Sequence, residues 1–92
     1  MERITRLIEG RYYVNDAAID HHSQGYLGEA INRLAVFENI VEELMTSQKQ
    51  ISEDLEKLRG QGKEKSVRFK ELMVKKLTNI NTLILFKSYG IE

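Results

Sequence analysis

A seven-residue repeat of apolar side chains runs through residues 27–58 and constrains the fold more than any other feature. Its a positions are Ala30, Phe37, Leu44, Ile51 and Leu58, and its d positions are Leu27, Leu34, Val41, Gln48 and Leu55. Nine of these ten positions are apolar, and Gln48 is the polar exception. Such a repeat indicates an α-helix that buries a narrow stripe against another helix. A helix of roughly 32 residues is about 48 Å long, so this stripe needs a partner helix.

The sequence after this helix predicts the partner. Gly60-Gln61-Gly62 is typical of a short turn between antiparallel helices. A further helix is predicted over residues 64–89, and Tyr89-Gly90-Ile91 fits a Schellman ending with a left-handed Gly90. Its predicted core stripe is Phe69, Met73, Leu77, Ile80 and Ile84, widened by Leu72, Leu83 and Phe86. We therefore predict an all-α fold built on a long, antiparallel, coiled-coil-like helical hairpin.

Residues 1–26 predict a small N-terminal arm, either a β-hairpin or an irregular segment. β-Branched and aromatic residues flank Glu9-Gly10 over residues 3–14, a pattern typical of a hairpin. Asn15-Asp16 favours the start of a short helix through Ile19. Ser23-Gln24-Gly25 is expected to break it and lead into the long helix.

Composition fits one domain over residues 1–92, divided into an arm (1–26), a long helix (27–59), a turn (60–63) and a C-terminal helix (64–89). The chain has 92 residues and neither cysteine nor proline, which excludes disulfides and suits long helices. No apolar run approaches the ~18 residues of a membrane span, and the N-terminus lacks a signal-peptide pattern. We expect a cytoplasmic protein that does not bind membranes.

Charge is balanced overall but not along the chain. The net charge is zero, which argues against a general nucleic-acid binder. Residues 28–59 carry seven acids and four bases, whereas residues 60–89 carry seven bases and two acids. We interpret this asymmetry as an acidic and a basic segment that lie side by side. The alternative interpretation is a basic surface that binds phosphate groups.

The segment Ile80–Phe86 is apolar on almost every helical face, which indicates burial on several sides. A chain this short buries little of its own surface. We therefore expect a homo-oligomer. The residues that we assign to the core or to its oligomer seam are Phe37, Leu44, Ile51, Ile80, Leu83, Ile84 and Phe86.

The sequence does not predict an enzyme, a metal site or a cofactor. His21-His22 has no helical partner histidine, and GQGKEKS at residues 60–66 has the wrong spacing for a phosphate-binding loop. Tyrosine and arginine are common in binding sites, and lysines bind phosphates. The candidate binding residues are Arg11, Tyr12, Tyr13, Tyr26, Lys63, Lys65 and Arg68. The alternative for Tyr12 or Tyr13 is that it covers the helical core.

GEAINRLAVFE at residues 28–38 resembles the G-A-x-x-RLA-x-[YF]-E segment of short uncharacterised proteins of Firmicutes phages and prophages. The start, MERITR, is similar to the M-E-R-L-T start of the same proteins. The resemblance ends near Glu38, because Asn39-Ile40-Val41 replaces the D-T-G-L-T-P-E turn usual in that family. It implies a small phage-encoded accessory protein in the cytoplasm of a host cell.

These observations favour a non-enzymatic interaction protein that binds a host macromolecule, for example to inhibit a host defence system. The alternative is an oligomeric protein that binds a nucleotide signal between subunits and uses Arg11, Tyr13 or Tyr26 together with lysines of the last helix. A weaker alternative is a nucleic-acid accessory protein using Lys63, Lys65, Arg68, Lys70, Lys75 and Lys76.

Overall fold

Two β-hairpins precede two α-helices in the computed structural model, which describes residues 1–91. The elements are β1 (Thr5–Ile8), β2 (Arg11–Val14), a 3-10 turn (Asp16–Ala18), β3 (Asp20–His22), β4 (Gly25–Leu27), α1 (Glu29–Gly60) and α2 (Val67–Ser88). Helix dominates, so the all-α prediction is right in outline. The chain divides into two compact units, Met1–Asn39 and Ile40–Glu92, and α1 passes through both.

The first hairpin confirms the predicted N-terminal β-hairpin. β1 and β2 pair antiparallel with Ile8 opposite Arg11 and Arg6 opposite Tyr13. The two turn residues, Glu9 and Gly10, have φ values of 50° and 79°. A two-residue turn with both residues at positive φ matches the right-handed twist of the strands that it joins.

A second hairpin lies where the sequence predicted a helix end and a linker. β3 pairs antiparallel with β4, so that Asp20 faces Leu27 and His22 faces Gly25. Ser23 and Gln24 therefore form the turn between two strands of three residues each. These strands are too short and too polar to show the alternation that identifies a strand in sequence.

The start of α1 is set by a close backbone contact. Gly28 has a φ of 131°, and a Cβ on it would lie 2.5 Å from the carbonyl oxygen of Ala18. Only glycine fits such an approach without strain. The helix therefore begins at Glu29, and Leu27, predicted to open the seam, lies in β4 instead.

The predicted short helix after Asn15 is a single 3-10 turn. The backbone N–H of Ala18 donates to the carbonyl of Asn15 at 2.9 Å, and the Asn15 side chain makes no capping hydrogen bond. Ile19 already has extended backbone angles. Ala18 is 8% exposed and is the buried residue of the first unit.

In the second unit, α2 packs against the second half of α1. The buried cluster is Ile51, Leu55 and Leu72, with Leu58, Phe69 and Met73 packed against it. Polar contacts continue along the pair: Gln48 donates to the carbonyl of Lys76 and Asn79 donates to Ser47. Residues of the second half of α1 thus contact residues of α2. The predicted seam of α1 matches the buried positions Ile51 and Leu55, whereas Leu34 is exposed.

The buried face of α2 is rotated from the predicted stripe. Leu72 and Asn79 are buried, while Leu77 and Ile84 are 55% and 60% exposed. The sequence predicts that Leu77 and Ile84 are core residues, but both are exposed within the described chain. Leu72, Leu83 and Phe86, which are predicted to widen the core stripe, are buried or half-buried. Burial of Asn79 is not predicted by the sequence.

Both ends of α2 have identifiable caps. The helix begins at Val67, three residues after the predicted start, because Ser66 accepts from the backbone N–H of Phe69 at 3.1 Å. At the other end, Gly90 has a φ of 88° and the N–H of Ile91 donates to the carbonyl of Phe86 at 3.0 Å. This confirms the predicted Schellman ending.

Candidate binding surfaces

A half-open cleft of about 340 Å³ lies in the first unit. The N-terminal segment with β1, the 3-10 turn and the first turns of α1 form its walls. Its charged and amide side chains are Glu2, Arg3, Arg6, Asn15, Glu29 and Arg33. The rest of the wall is small and apolar, including Ala17 and Ala18. The cleft is therefore a concave surface of the first unit whose lining residues are mostly polar.

Two of the three arginines in the cleft are held by other groups of the chain. Arg33 donates to the backbone carbonyl of Glu2 and pairs with Glu29 at 3.3 Å. Arg3 donates to the hydroxyl of Thr5 at 2.9 Å, and its guanidinium lies 5.6 Å from the ring centroid of Tyr12. The guanidinium of Arg6 has no hydrogen-bond or ion-pair partner within residues 1–91, and the hairpin register places this side chain on the face of Tyr13, opposite that of Thr5 and Tyr12.

An apolar stripe on α2 faces away from the contact with α1. It consists of Val67, Val74, Leu77 and Ile84, whose side chains are 72%, 64%, 55% and 60% exposed. Successive residues differ by about 100° around a helix, so Val74 lies about 200° from the buried Leu72. We call these four residues the outer stripe of α2. Its spacing of seven, three and seven residues follows a second heptad register.

An apolar groove of about 300 Å³ lies beyond the polar contacts of the second unit. Val41 and Met45 of α1 form one side, and Leu83, Phe86 and Ile91 form the other. Leu83 and Phe86 were predicted seam residues, and here they line this groove. Side chains near Leu55 are therefore buried between the helices, whereas this end of the second unit is open to solvent.

Four predicted binding residues fall on the hairpins of the first unit. Arg11, Tyr12 and Tyr13 are consecutive in β2, so Tyr12 points to the face opposite that of its neighbours. Tyr26 lies in β4, where its ring meets the edge of His21 with a centroid distance of 4.9 Å. None of these four is among the residues that line the cleft of the first unit, and their role in binding stays a prediction.

The other three predicted binding residues lie in the second unit. Lys63 and Lys65 belong to the turn after α1, and Arg68 lies in the first turn of α2. The carbonyl of Lys63 accepts from the Ser66 hydroxyl at 2.7 Å, so this turn serves to cap α2. The GQGKEKS segment that superficially resembles a phosphate loop thus has a structural role in which Ser66 is the central residue.

The histidine pair makes local contacts. The Nε2 atom of His22 lies 3.7 Å from Oδ2 of Asp20, on the same strand. Across residues 1–91, no three histidine, cysteine or acidic side chains come together in a group able to hold a metal ion. Nor does any helix of the described part combine the length and apolarity needed to cross a membrane.

The comparisons with known proteins add no relative from which a function can be transferred. No protein-family model matches the chain, and neither a curated protein nor a solved structure matches it at a significant level. The arguments that follow therefore rest on the residues of this chain.

Proposed function

We propose that this protein is a non-enzymatic interaction protein that assembles as a homo-oligomer through α2 and, in the assembled form, binds a host macromolecule. The outer stripe of α2 is the observation that supports this proposal. Large apolar side chains that are exposed in register along a whole helix mark an interaction surface. A binding role also agrees with the fold, because a pair of helices offers exposed faces rather than a deep catalytic pocket.

The first partner that we propose is a second copy of the chain. The buried positions of α1 and α2 follow heptad spacing, which supports an antiparallel, coiled-coil-like hairpin. The α1 part of this unit, residues 40–60, carries a net charge of −2, whereas α2 carries +4. Two copies that place α2 beside the partner's α1 would bring these opposite charges together and cover the outer stripes. Ile84, assigned from sequence to the oligomer seam, lies in this stripe.

Sedimentation equilibrium of the full chain tests the assembly. Wild type is expected to form a dimer or larger species at micromolar concentration. Leu77→Glu places a charge in the outer stripe and is expected to shift the chain to monomer. Lys75→Gln changes the net charge by the same amount at an exposed position about 160° around the helix from Leu77, so it serves as the matched control and should assemble like wild type. A monomeric wild type, or equal dissociation in both variants, contradicts this proposal.

The host partner and the phage context are proposed from the resemblance of residues 28–38 to short phage and prophage proteins. In that context the protein works in the host cytoplasm, and inhibition of a defence system is the specific role that we propose. Tagged wild type should recover from host lysate a protein that Leu77→Glu, unable to assemble, fails to recover and that Lys75→Gln retains. Recovery that is identical for all three forms would show that host binding does not depend on assembly through the outer stripe.

A further inference from the structure

The first hairpin has an open strand edge on β2. β1 and β2 form a sheet of two strands, so within the described residues each strand has one neighbour and one free edge. A two-stranded sheet is marginally stable in water, and an open edge is a template for pairing with a further strand. The β2 strand reads Arg11-Tyr12-Tyr13-Val14, which is aromatic and β-branched and contains no proline. We call its outer side the free edge of β2.

The hairpin register determines which backbone groups face this edge. Ile8 and Arg11 flank the two-residue turn and form a hydrogen-bonded pair, so the next pair, Leu7 and Tyr12, is a non-hydrogen-bonded one. The N–H and C=O groups of Tyr12 therefore point away from β1, and by the same alternation those of Val14 do so as well. No hydrogen bond within the described chain uses these outward groups.

We propose that the free edge of β2 pairs with the same edge of a second copy, in antiparallel orientation and around a twofold axis through Tyr12. Hydrogen bonds form between outward-facing groups, so Tyr12 and the partner's Tyr12 become a hydrogen-bonded pair. One residue to either side of the axis, Arg11 lies opposite the partner's Tyr13. The two hairpins then form one four-stranded antiparallel sheet, and a sheet of three or more strands is more stable than a lone hairpin.

The side chains at this edge are complementary to a second copy of themselves. Alternation puts Arg11 and Tyr13 on one face of β2, and the proposed axis places each arginine beside the partner's tyrosine ring. A guanidinium over an aromatic ring is attractive, and symmetry makes this contact twice. No like charges stand directly opposite each other across the new strand pair. The edge of β1 lacks this fit, because pairing around Leu7 sets Arg6 opposite the partner's Ile8.

This edge contact is separate from the outer stripe of α2, because all of its residues lie in the first unit. Strands of four residues bury little surface, so the contact is weak by itself and leaves Leu77→Glu monomeric at micromolar concentration. In wild type, each assembly formed through α2 presents at least two such edges, and this multivalency strengthens the contact. The strengthening rests on the proposed function, whereas the pairing of the edges does not.

Disulfide trapping in the full chain tests the pairing, because the chain has no cysteine of its own. The Cα atoms of a hydrogen-bonded pair are about 5.5 Å apart, within the range that a disulfide spans. Tyr12→Cys should therefore form a covalent dimer under mild oxidation, detected on a non-reducing gel. Leu7→Cys is the matched control, since Leu7 faces Tyr12 across the hairpin and is also exposed. In the four-stranded sheet three strand spacings, about 14 Å, separate it from its own copy, which is too far for a disulfide.

Both cysteine variants are made in the Leu77→Glu background and oxidised at high protein concentration, so that the result does not depend on α2. Adding Arg11→Gln to Tyr12→Cys should slow cross-linking roughly fivefold or more, because both contacts between guanidinium and ring are lost. Arg6→Gln removes the same charge from the same face of the hairpin but from the strand away from the axis. It should leave the rate unchanged.

The proposal is overturned if Tyr12→Cys does not cross-link, if Leu7→Cys cross-links as fast, or if Arg11→Gln and Arg6→Gln slow the reaction equally. Hydrogen exchange of the unsubstituted chain gives a measure that needs no variant. The outward N–H groups of Tyr12 and Val14 should become protected as the protein concentration rises, and exchange that is independent of concentration contradicts the pairing. Trapping in Leu77→Glu together with a monomeric wild type in sedimentation would support the edge contact and reject assembly through α2.

Discussion

The side-chain amide of Gln48 in α1 donates a hydrogen bond to the backbone carbonyl of Lys76 in α2 at 3.2 Å. The Oε1 atom of the same amide is buried and has no partner within the described residues. Close by along the pair, Asn79 is 7% exposed and donates to the Ser47 hydroxyl at 3.4 Å. A polar layer therefore interrupts the apolar contact between the helices. Such a layer favours one register at the expense of stability.

Replacing Gln48 by leucine is expected to stabilise the second unit. The variant removes the unpaired buried acceptor, and the Lys76 carbonyl retains its place in the helical ladder of α2. We expect a gain of about 1 kcal/mol in the free energy of unfolding, measured by urea denaturation. Gln50→Leu, on the exposed face of α1, should change stability by less than about 0.5 kcal/mol. A loss of stability in Gln48→Leu would show that the polar layer contributes more than its unpaired oxygen costs.

Leu55 is 1% exposed and lies in the buried cluster of the second unit. Leu55→Ala should lower the free energy of unfolding by about 2–5 kcal/mol, because it removes buried apolar surface and leaves a cavity. Leu85→Ala is the matched control, since that leucine is 56% exposed. Circular dichroism at 222 nm during urea denaturation compares the two. Equal losses would mean that the contact between the helices is not centred on Leu55.

Gly28 precedes α1 and Gly60 is its last residue. Replacement by alanine is expected to lower the free energy of unfolding at Gly28 but not at Gly60. A Cβ at Gly28 meets the Ala18 carbonyl at a φ of 131°, so Gly28→Ala is expected to cost about 1–3 kcal/mol. Gly60 lies in the helix with nothing within 4 Å of the added Cβ. Gly60→Ala should therefore be neutral or stabilising by up to about 1 kcal/mol. Thermal unfolding of the two variants measures the difference, and a stable Gly28→Ala would contradict the close approach.

The Ser66 hydroxyl accepts from the Phe69 N–H at 3.1 Å and donates to the Lys63 carbonyl at 2.7 Å. Ser66→Ala should cost about 1 kcal/mol, the usual value of an N-cap. Ser66→Asp keeps an acceptor at the cap and adds a favourable charge at the helix start, so it should recover most of that loss. Urea denaturation distinguishes the two variants. Equal destabilisation would show that the bond to Lys63, rather than the cap, is the important contact.

Much of the helical part was predictable because its signals are local. The heptad repeat identified α1 and its buried positions Ile51 and Leu55. Gly90 and Ile91 predicted the end of α2, and Glu9-Gly10 predicted the first hairpin. In each of these cases, residues near one another in the sequence determine the backbone conformation.

The face of α2 was predicted less well because this helix has apolar residues on two sides. Periodicity alone did not distinguish Leu77 and Ile84 from Leu72 and Asn79, and the buried asparagine looked like a surface residue. The second hairpin was missed for a related reason. Each strand is three residues long and β3 is wholly polar, so they show no apolar alternation.

By itself, the amino-acid order determined where the helices run, which side of α1 is apolar and how α2 ends, since these follow from patterns within a few turns of chain. Only the tertiary structure decided which face of α2 meets α1. It also brought Arg33 to the carbonyl of Glu2, because a contact between residues about 30 positions apart depends on the path of the intervening backbone. The carbonyl of Ala18 packed on Gly28 is the contact that sets this path at the start of α1.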